Sequence, residues 1–143
     1  MGDLSKNFNR SEFACPCCGK DDISLHLVVE IQRVRDMVNS PITVSSGVRC
    51  EKHNLEVGGG ENSQHLLGKA ADISAGGIPL GELHHKASIR FRDHGIGVYV
   101  GYDGFLHLDL RGNPARWGYI NETSVGYNAA VAALEGDDDD WMA

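Results

Sequence analysis

His65 and Asp72 stand seven residues apart in "NSQHLLGKAADIS" (residues 62–74), and His107 follows in "FLHLDL" (residues 105–110). Two imidazoles and one carboxylate leave a fourth position open around a tetrahedral zinc ion, the donor set of a catalytic rather than a structural site. The three residues make such a set if the strand read at "AADI" lies beside "FLHLDL". Gly68 then lets the chain turn sharply between the first two ligands, and Ala70 and Ala71 keep the approach free of bulk. A histidine near an aspartate occurs by chance in many chains, so the third ligand, on a separately read strand, is what gives the pair weight.

Strand alternation decides what accompanies His107. Leu106, Leu108 and Leu110 share one face of "FLHLDL", and Phe105, His107 and Asp109 share the other. The leucine face belongs to a core, which leaves His107 and Asp109 together on the opposite side. An ordinary half-exposed strand with polar residues in solvent would carry the same pattern.

The elements that must position these residues can be read around them. Apolar side chains at 23, 27, 31, 34 and 38 follow helical spacing over residues 23–39, and Pro41 stops the run. "ITVSSG" (residues 42–47) is β-branched and ends at glycine, a strand. Residues 48–67 are polar and Gly-rich, with no periodicity, and read as an ordered functional loop. "KAADIS" returns to strand, residues 80–91 form a weaker second helix, and "GIGVYV", a Gly-Tyr-Asp-Gly turn and "FLHLDL" read as a hairpin. "NPARWGY" reads as a loop carrying an aromatic lid, and the alanines after residue 121 start a short helix that then dissolves.

The expected architecture is a single α+β domain with a small antiparallel sheet packed against helices. An N-terminal arm takes residues 1–20, the body residues 21–120, and a C-terminal segment with an acidic tail residues 121–143. A length of 143 residues with 41% hydrophobic content suits one core. The formal charge of −7 is inflated by the tail "EGDDDD", which holds five carboxylates and no base. No basic stripe interleaved with aromatics appears, which argues against a nucleic-acid partner. No run approaches the ~18 apolar residues of a membrane span, and the N-terminus lacks the apolar region of a secretion signal. Synthesis in the cytoplasm, with no membrane partner, is the expectation; the oligomeric state is not encoded legibly.

With these residues in view, the chain resembles the M15 metallopeptidases, the zinc D-alanyl-D-alanine carboxypeptidases and related phage peptidoglycan hydrolases. "SQHLLGKAAD" is similar to their Ser-x-His-x-x-Gly-x-Ala-x-Asp motif, and "SSGVRCEKHN", "GGGENSQH", "GIGVY" and "FLHLDLRG" look like the surrounding blocks in the same order, over about residues 4–119. The resemblance implies a hedgehog-like α+β fold, one zinc ion held by His65, Asp72 and His107, and hydrolysis of a peptide bond in bacterial peptidoglycan. It also implies action at the cell wall, with release of the phage endolysin type as one route that these residues do not encode. Arg49 matches the arginine of the family's Ser-Gly-x-Arg block, expected to contact a substrate carbonyl or carboxylate. Independently, a guanidinium in a water-poor site stabilises the oxyanion of an attacked carbonyl; a solvated loop cation is the plain alternative.

The chain departs from the family at the general base. Several members carry Glu or Asp three residues before the last zinc histidine, where this chain has Gly104. Asp109 shares the strand face with His107, roughly 7 Å away by strand rise, and is the first candidate. Asp103 in the hairpin turn is the second. Asp109 could equally orient a ligand or Arg49. The missing acid keeps a non-catalytic, zinc-containing cell-wall-binding module of the same fold as the alternative function, with a metal-dependent hydrolase of small amides as a more distant one.

Cys15, Cys17, Cys18 and Cys50 all lie within the first 50 residues. Two of "CPCC" with Cys50 and His53 would make a closed structural zinc site, although C-x-C-C departs from the usual C-x2-C spacing. A disulfide from Cys50 to the arm and free thiols are the other readings.

Overall fold

The structure is a computed structural model that describes residues 2–137. After a 3-10 turn at Arg10–Phe13, the elements are α1 (Leu25–Val38), β1 (Ile42–Ser46), α2 (Glu51–Glu56), a second 3-10 turn at Gln64–Leu67, β2 (Ala70–Ala75), α3 (Leu80–Arg90), β3 (Gly95–Val100), β4 (Phe105–Asp109), β5 (Ala115–Ile120), β6 (Thr123–Ser124) and α4 (Tyr127–Asp137). The class is α+β, as the sequence led us to expect.

Local signals set the ends of α1. The Ser24 side chain accepts from the Leu27 amide, and Asn39 closes the helix in the left-handed conformation two residues before Pro41. The helix buries Leu27, Val28, Ile31 and Val34 against the sheet and α3.

The strands form one six-stranded sheet in the order β1-β2-β4-β3-β5-β6. Neighbours run antiparallel except β3 and β5, which are parallel. One sheet face carries Ala71, Ile73, Ile96, Val98, Leu106 and Leu108, all buried in the core. Strand alternation therefore sends Asp72, Gly97, Tyr99, Phe105, His107 and Asp109 to the other face. The N-terminal segment adds Phe8 and Phe13 to the same core, and α4 adds Ala130 and Leu134. No helix among the described residues is long and apolar enough to cross a membrane.

Two segments differ from their sequence reading. "NPARWGY" is not a lid loop: residues 115–120 form β5, whose backbone pairs with β3. The reading failed because Gly118 and the scattered aromatics break the alternation that marks a strand. The loop at residues 48–67 holds α2 and the second 3-10 turn, each too short to show periodicity. The helix at the alanines is α4; its expected dissolution falls on residues 138–143, outside the described residues.

Candidate metal centre

The antiparallel register of β2 and β4 sets Asp72 directly opposite His107 on the face away from the core. His65 reaches the same point from the second 3-10 turn, which Ser63 caps by accepting from the His65 amide and Gly68 ends in the left-handed conformation (φ 69°). The sharp turn expected at Gly68 is present. The His65 carbonyl accepts from the Arg49 amide, tying this turn to the segment that follows β1.

The three side chains converge. Asp72 Oδ1 lies 3.2 Å from His65 Nε2 and 3.0 Å from His107 Nδ1, and the donor atoms all fall within 4.8 Å of one another. All three residues are buried. Each histidine has its other ring nitrogen engaged. His65 Nδ1 donates to the Gly47 carbonyl at 2.7 Å, and His107 Nε2 donates to Asp109 Oδ2 at 2.7 Å. A carbonyl and a carboxylate only accept, so when the two rings are neutral, as metal ligation requires, the lone pairs of His65 Nε2 and His107 Nδ1 turn toward Asp72; protonated rings donate to Asp72 from the same atoms. A carbonyl or carboxylate behind each imidazole is the usual support for metal-ligating histidines. The donor set fits a divalent cation of the zinc class.

The charges are tuned against burial. Burial alone would raise the carboxyl of Asp72, but hydrogen bonds from His107 and His65 hold it well below the usual carboxylate range. Burial opposes the charged form of His107, yet Asp109 and Asp72 raise its pKa. Asp109 is fully buried and would be raised by desolvation; His107 and Arg111 hold it low instead. Its carboxylate accepts from the Arg111 amide and from Nε and Nη2 of the same residue, besides His107.

Arg49 borders the centre. Its Nη2 lies 3.4 Å from Asp72 Oδ2, while Ser46 Oγ and Asn54 Oδ1 accept from Nε and Nη1. Asn54 is buried and donates to the Gly60 carbonyl, so the Gly-rich loop and the guanidinium hold each other in place.

An aromatic wall completes the cleft. Tyr99 stacks between Phe105 (ring centroids 4.4 Å apart) and Tyr119 (5.0 Å), because β3 pairs with both β4 and β5 at this level. One row along, Gly97 stands between His107 and Trp117. A side chain at position 97 would run into the indole, so glycine lets Trp117 lie over the strand toward His107, at 5.1 Å. Trp117 Nε1 donates to Tyr99 Oη, and the Arg111 guanidinium covers the indole. The cleft has a volume of about 450 Å³, within the range of small-ligand sites.

Of the residues singled out from sequence, His65, Asp72, His107 and Arg49 meet in this cleft. Asp109 sits behind His107 rather than beside the donor atoms. Asp103 lies in the β3–β4 turn and lines a neighbouring cavity that shares Tyr99, Phe105 and Tyr119 with the cleft. Sequence reading left out Asn54, Tyr99 and Arg111 and left Trp117 without a place. Arg111 carried a usable signal, since it lies two residues beyond Asp109 and strand alternation puts both on one side.

Comparison with known proteins covers most of this site. The family profile described as Peptidase M15 matches residues 6–109. The zinc D-Ala-D-Ala carboxypeptidase of Streptomyces albus G is 40% identical over 84 residues, which make up 57% of this chain and 31% of that protein. The match thus takes in less than a third of that relative's length. Arg111, Trp117 and Tyr119 lie beyond the profile match.

Proposed function

The chain belongs to the peptidase M15 family, and from that premise we propose that it is a zinc metallopeptidase acting on the peptide stems of bacterial peptidoglycan, as a D-Ala-D-Ala carboxypeptidase or endopeptidase. The observation that carries this reading is the convergence of His65 Nε2, Asp72 Oδ1 and His107 Nδ1, with the opposite nitrogen of each histidine already hydrogen-bonded. In a three-ligand site of this kind zinc supplies Lewis-acid polarisation and water acidified to a pKa of about 7.

The chain's own groups account for the rest. Arg49 faces the cleft with its guanidinium oriented by Ser46 and Asn54, placed to hold either the carboxylate of a stem peptide or the oxyanion of an attacked amide. Asp72 and Asp109 balance Arg49 and Arg111, so a divalent ion held there would leave the cleft net positive and bias it toward anionic peptide ends. Tyr99, Phe105 and Trp117 supply apolar surface for the stem and exclude water from the reacting amide. Asp109 acts through His107, whose tautomer it holds. Asp103, exposed beside the aromatic wall, is the other carboxylate at hand for proton transfer. A sugar hydrolase would need two carboxylates flanking the glycosidic bond, whereas the two buried ones here are committed to histidines and arginines.

Mass spectrometry of products from defined muropeptides tests the proposal. The expected products have lost a terminal D-alanine or been severed at a cross-link, with glycan intact. Glycan fragments with unchanged stems would overturn it.

A further inference from the structure

The chemistry above leaves one cluster of donor atoms unused. The sulfurs of Cys15, Cys18 and Cys50 lie within 4.8 Å of one another where the N-terminal segment meets the start of α2. Cys15 and Cys18 have C-x2-C spacing, which the intervening Cys17 obscures in "CPCC". The segment is folded as a tight turn: the Gly19 amide donates to the Cys15 carbonyl at 2.8 Å, the Cys15 amide to the Lys20 carbonyl at 2.7 Å, and Gly19 is left-handed. The turn and the start of α2 aim amides at the sulfurs. The His53 amide donates to Cys50 Sγ at 3.4 Å, and the backbone amides of Cys50, Cys17 and Cys18 offset burial to lower the Cys15 thiol to about 7. Against the Lys20 amide, burial and the neighbouring thiols raise the Cys18 thiol, so three sulfurs this close together ionise together only with a cation between them.

The spacing separates a metal site from a disulfide. Cys15 Sγ and Cys50 Sγ are 3.8 Å apart. Two thiolates bound about 2.3 Å from one tetrahedral zinc ion lie about 3.8 Å from each other. A disulfide would draw them to about 2.05 Å and leave Cys18 unused. We propose that Cys15, Cys18 and Cys50 hold a structural zinc ion, separate from the His65, Asp72 and His107 centre. Cys17 lies outside the three converging sulfurs. His53, the fourth ligand considered from sequence, takes part through its amide; its ring is not among the converging donor atoms.

This ion would fasten the N-terminal segment to the residue next to Arg49. The Val48 amide already donates to the Phe13 carbonyl at 2.8 Å on the other side of Arg49, so both flanks of the arginine are tied to the same segment.

The His65→Ala protein isolates this site from the peptidase centre. It should retain one equivalent of zinc where the parent holds two. After cobalt exchange it should show the ultraviolet thiolate-to-cobalt charge-transfer absorption. Cys18→Ser in the same background, at an exposed position, should lose both the ion and the band. The cobalt spectrum of the unmutated protein reads the same site without any variant that must fold. Absence of the charge-transfer band there, or a Cys15–Cys50 disulfide in the protein as purified, would overturn the proposal. Failure of the peptidase reading looks different: the parent would hold only the thiolate-bound equivalent.

Discussion

Asp109 accepts from four donors, His107 Nε2 and the N, Nε and Nη2 of Arg111, in a fully buried position. A carboxylate held this way has little freedom to accept and release a proton during turnover, but it is well suited to presenting His107 Nδ1 to a metal. Asp109→Asn should therefore weaken zinc binding by about 10–100-fold, the usual cost of losing such a support, as read by competition with a chromophoric chelator. The opposite outcome is equally readable. Unchanged zinc affinity with kcat lower by roughly two to four decades would make Asp109 the general base. The same loss in Asp103→Asn, at constant zinc content, would place the base in the hairpin turn.

At the scale of elements, the cleft depends on which residues of β3 are absent as much as on those of β4 that are present. Gly97 keeps the strand surface open under Trp117. Gly97→Val should push the indole from its place, with a shift in tryptophan emission and a raised KM, while zinc content stays near the parent's. Unchanged emission and KM would show that Trp117 is not held by this contact. The strand that carries His107 was legible because leucines alternate with the polar residues, and that of Asp72 as a short apolar run after the Gly-rich loop. The partner of β3 on its other side was not. β5 lies parallel to β3 and is reached by crossing past it, and nothing in "NPARWGY" alternates, so the aromatic wall could not be foreseen from the strands taken singly. The same limit applied to Asn54, whose role appears only when α2 folds back on the Gly-rich loop. His65 and Arg49 were legible as residue types in a motif, but the backbone bond between them was not.

For the molecule as a whole, acid should loosen the packing of α3 and α4 as well as the metal centre. His84 of α3 is buried against Tyr127 of α4. Burial, with the nearby positive charges of His85 and Arg116, lowers its pKa to about 4 from 6.5. The unfolded chain thus takes up a proton below about pH 6.5 that the folded protein refuses until about pH 4. Stability should fall through that window as pH drops, by on the order of a few kcal/mol at most. Urea midpoints of metal-free parent and His84→Phe, compared from pH 7 to pH 4, should show a flatter profile for the variant; parallel profiles would remove His84 from the account. The central claim, that His65, Asp72 and His107 form a zinc site that cleaves peptidoglycan stems, is tested most directly by titrating zinc into metal-stripped protein while counting free amino groups released from purified sacculi. The account expects release to rise with zinc occupancy and to be absent from His65→Ala at any zinc concentration. Equal release by His65→Ala, or full zinc occupancy of the parent with no release at all, would contradict it, and the second result would leave a zinc-containing binding module in place of an enzyme.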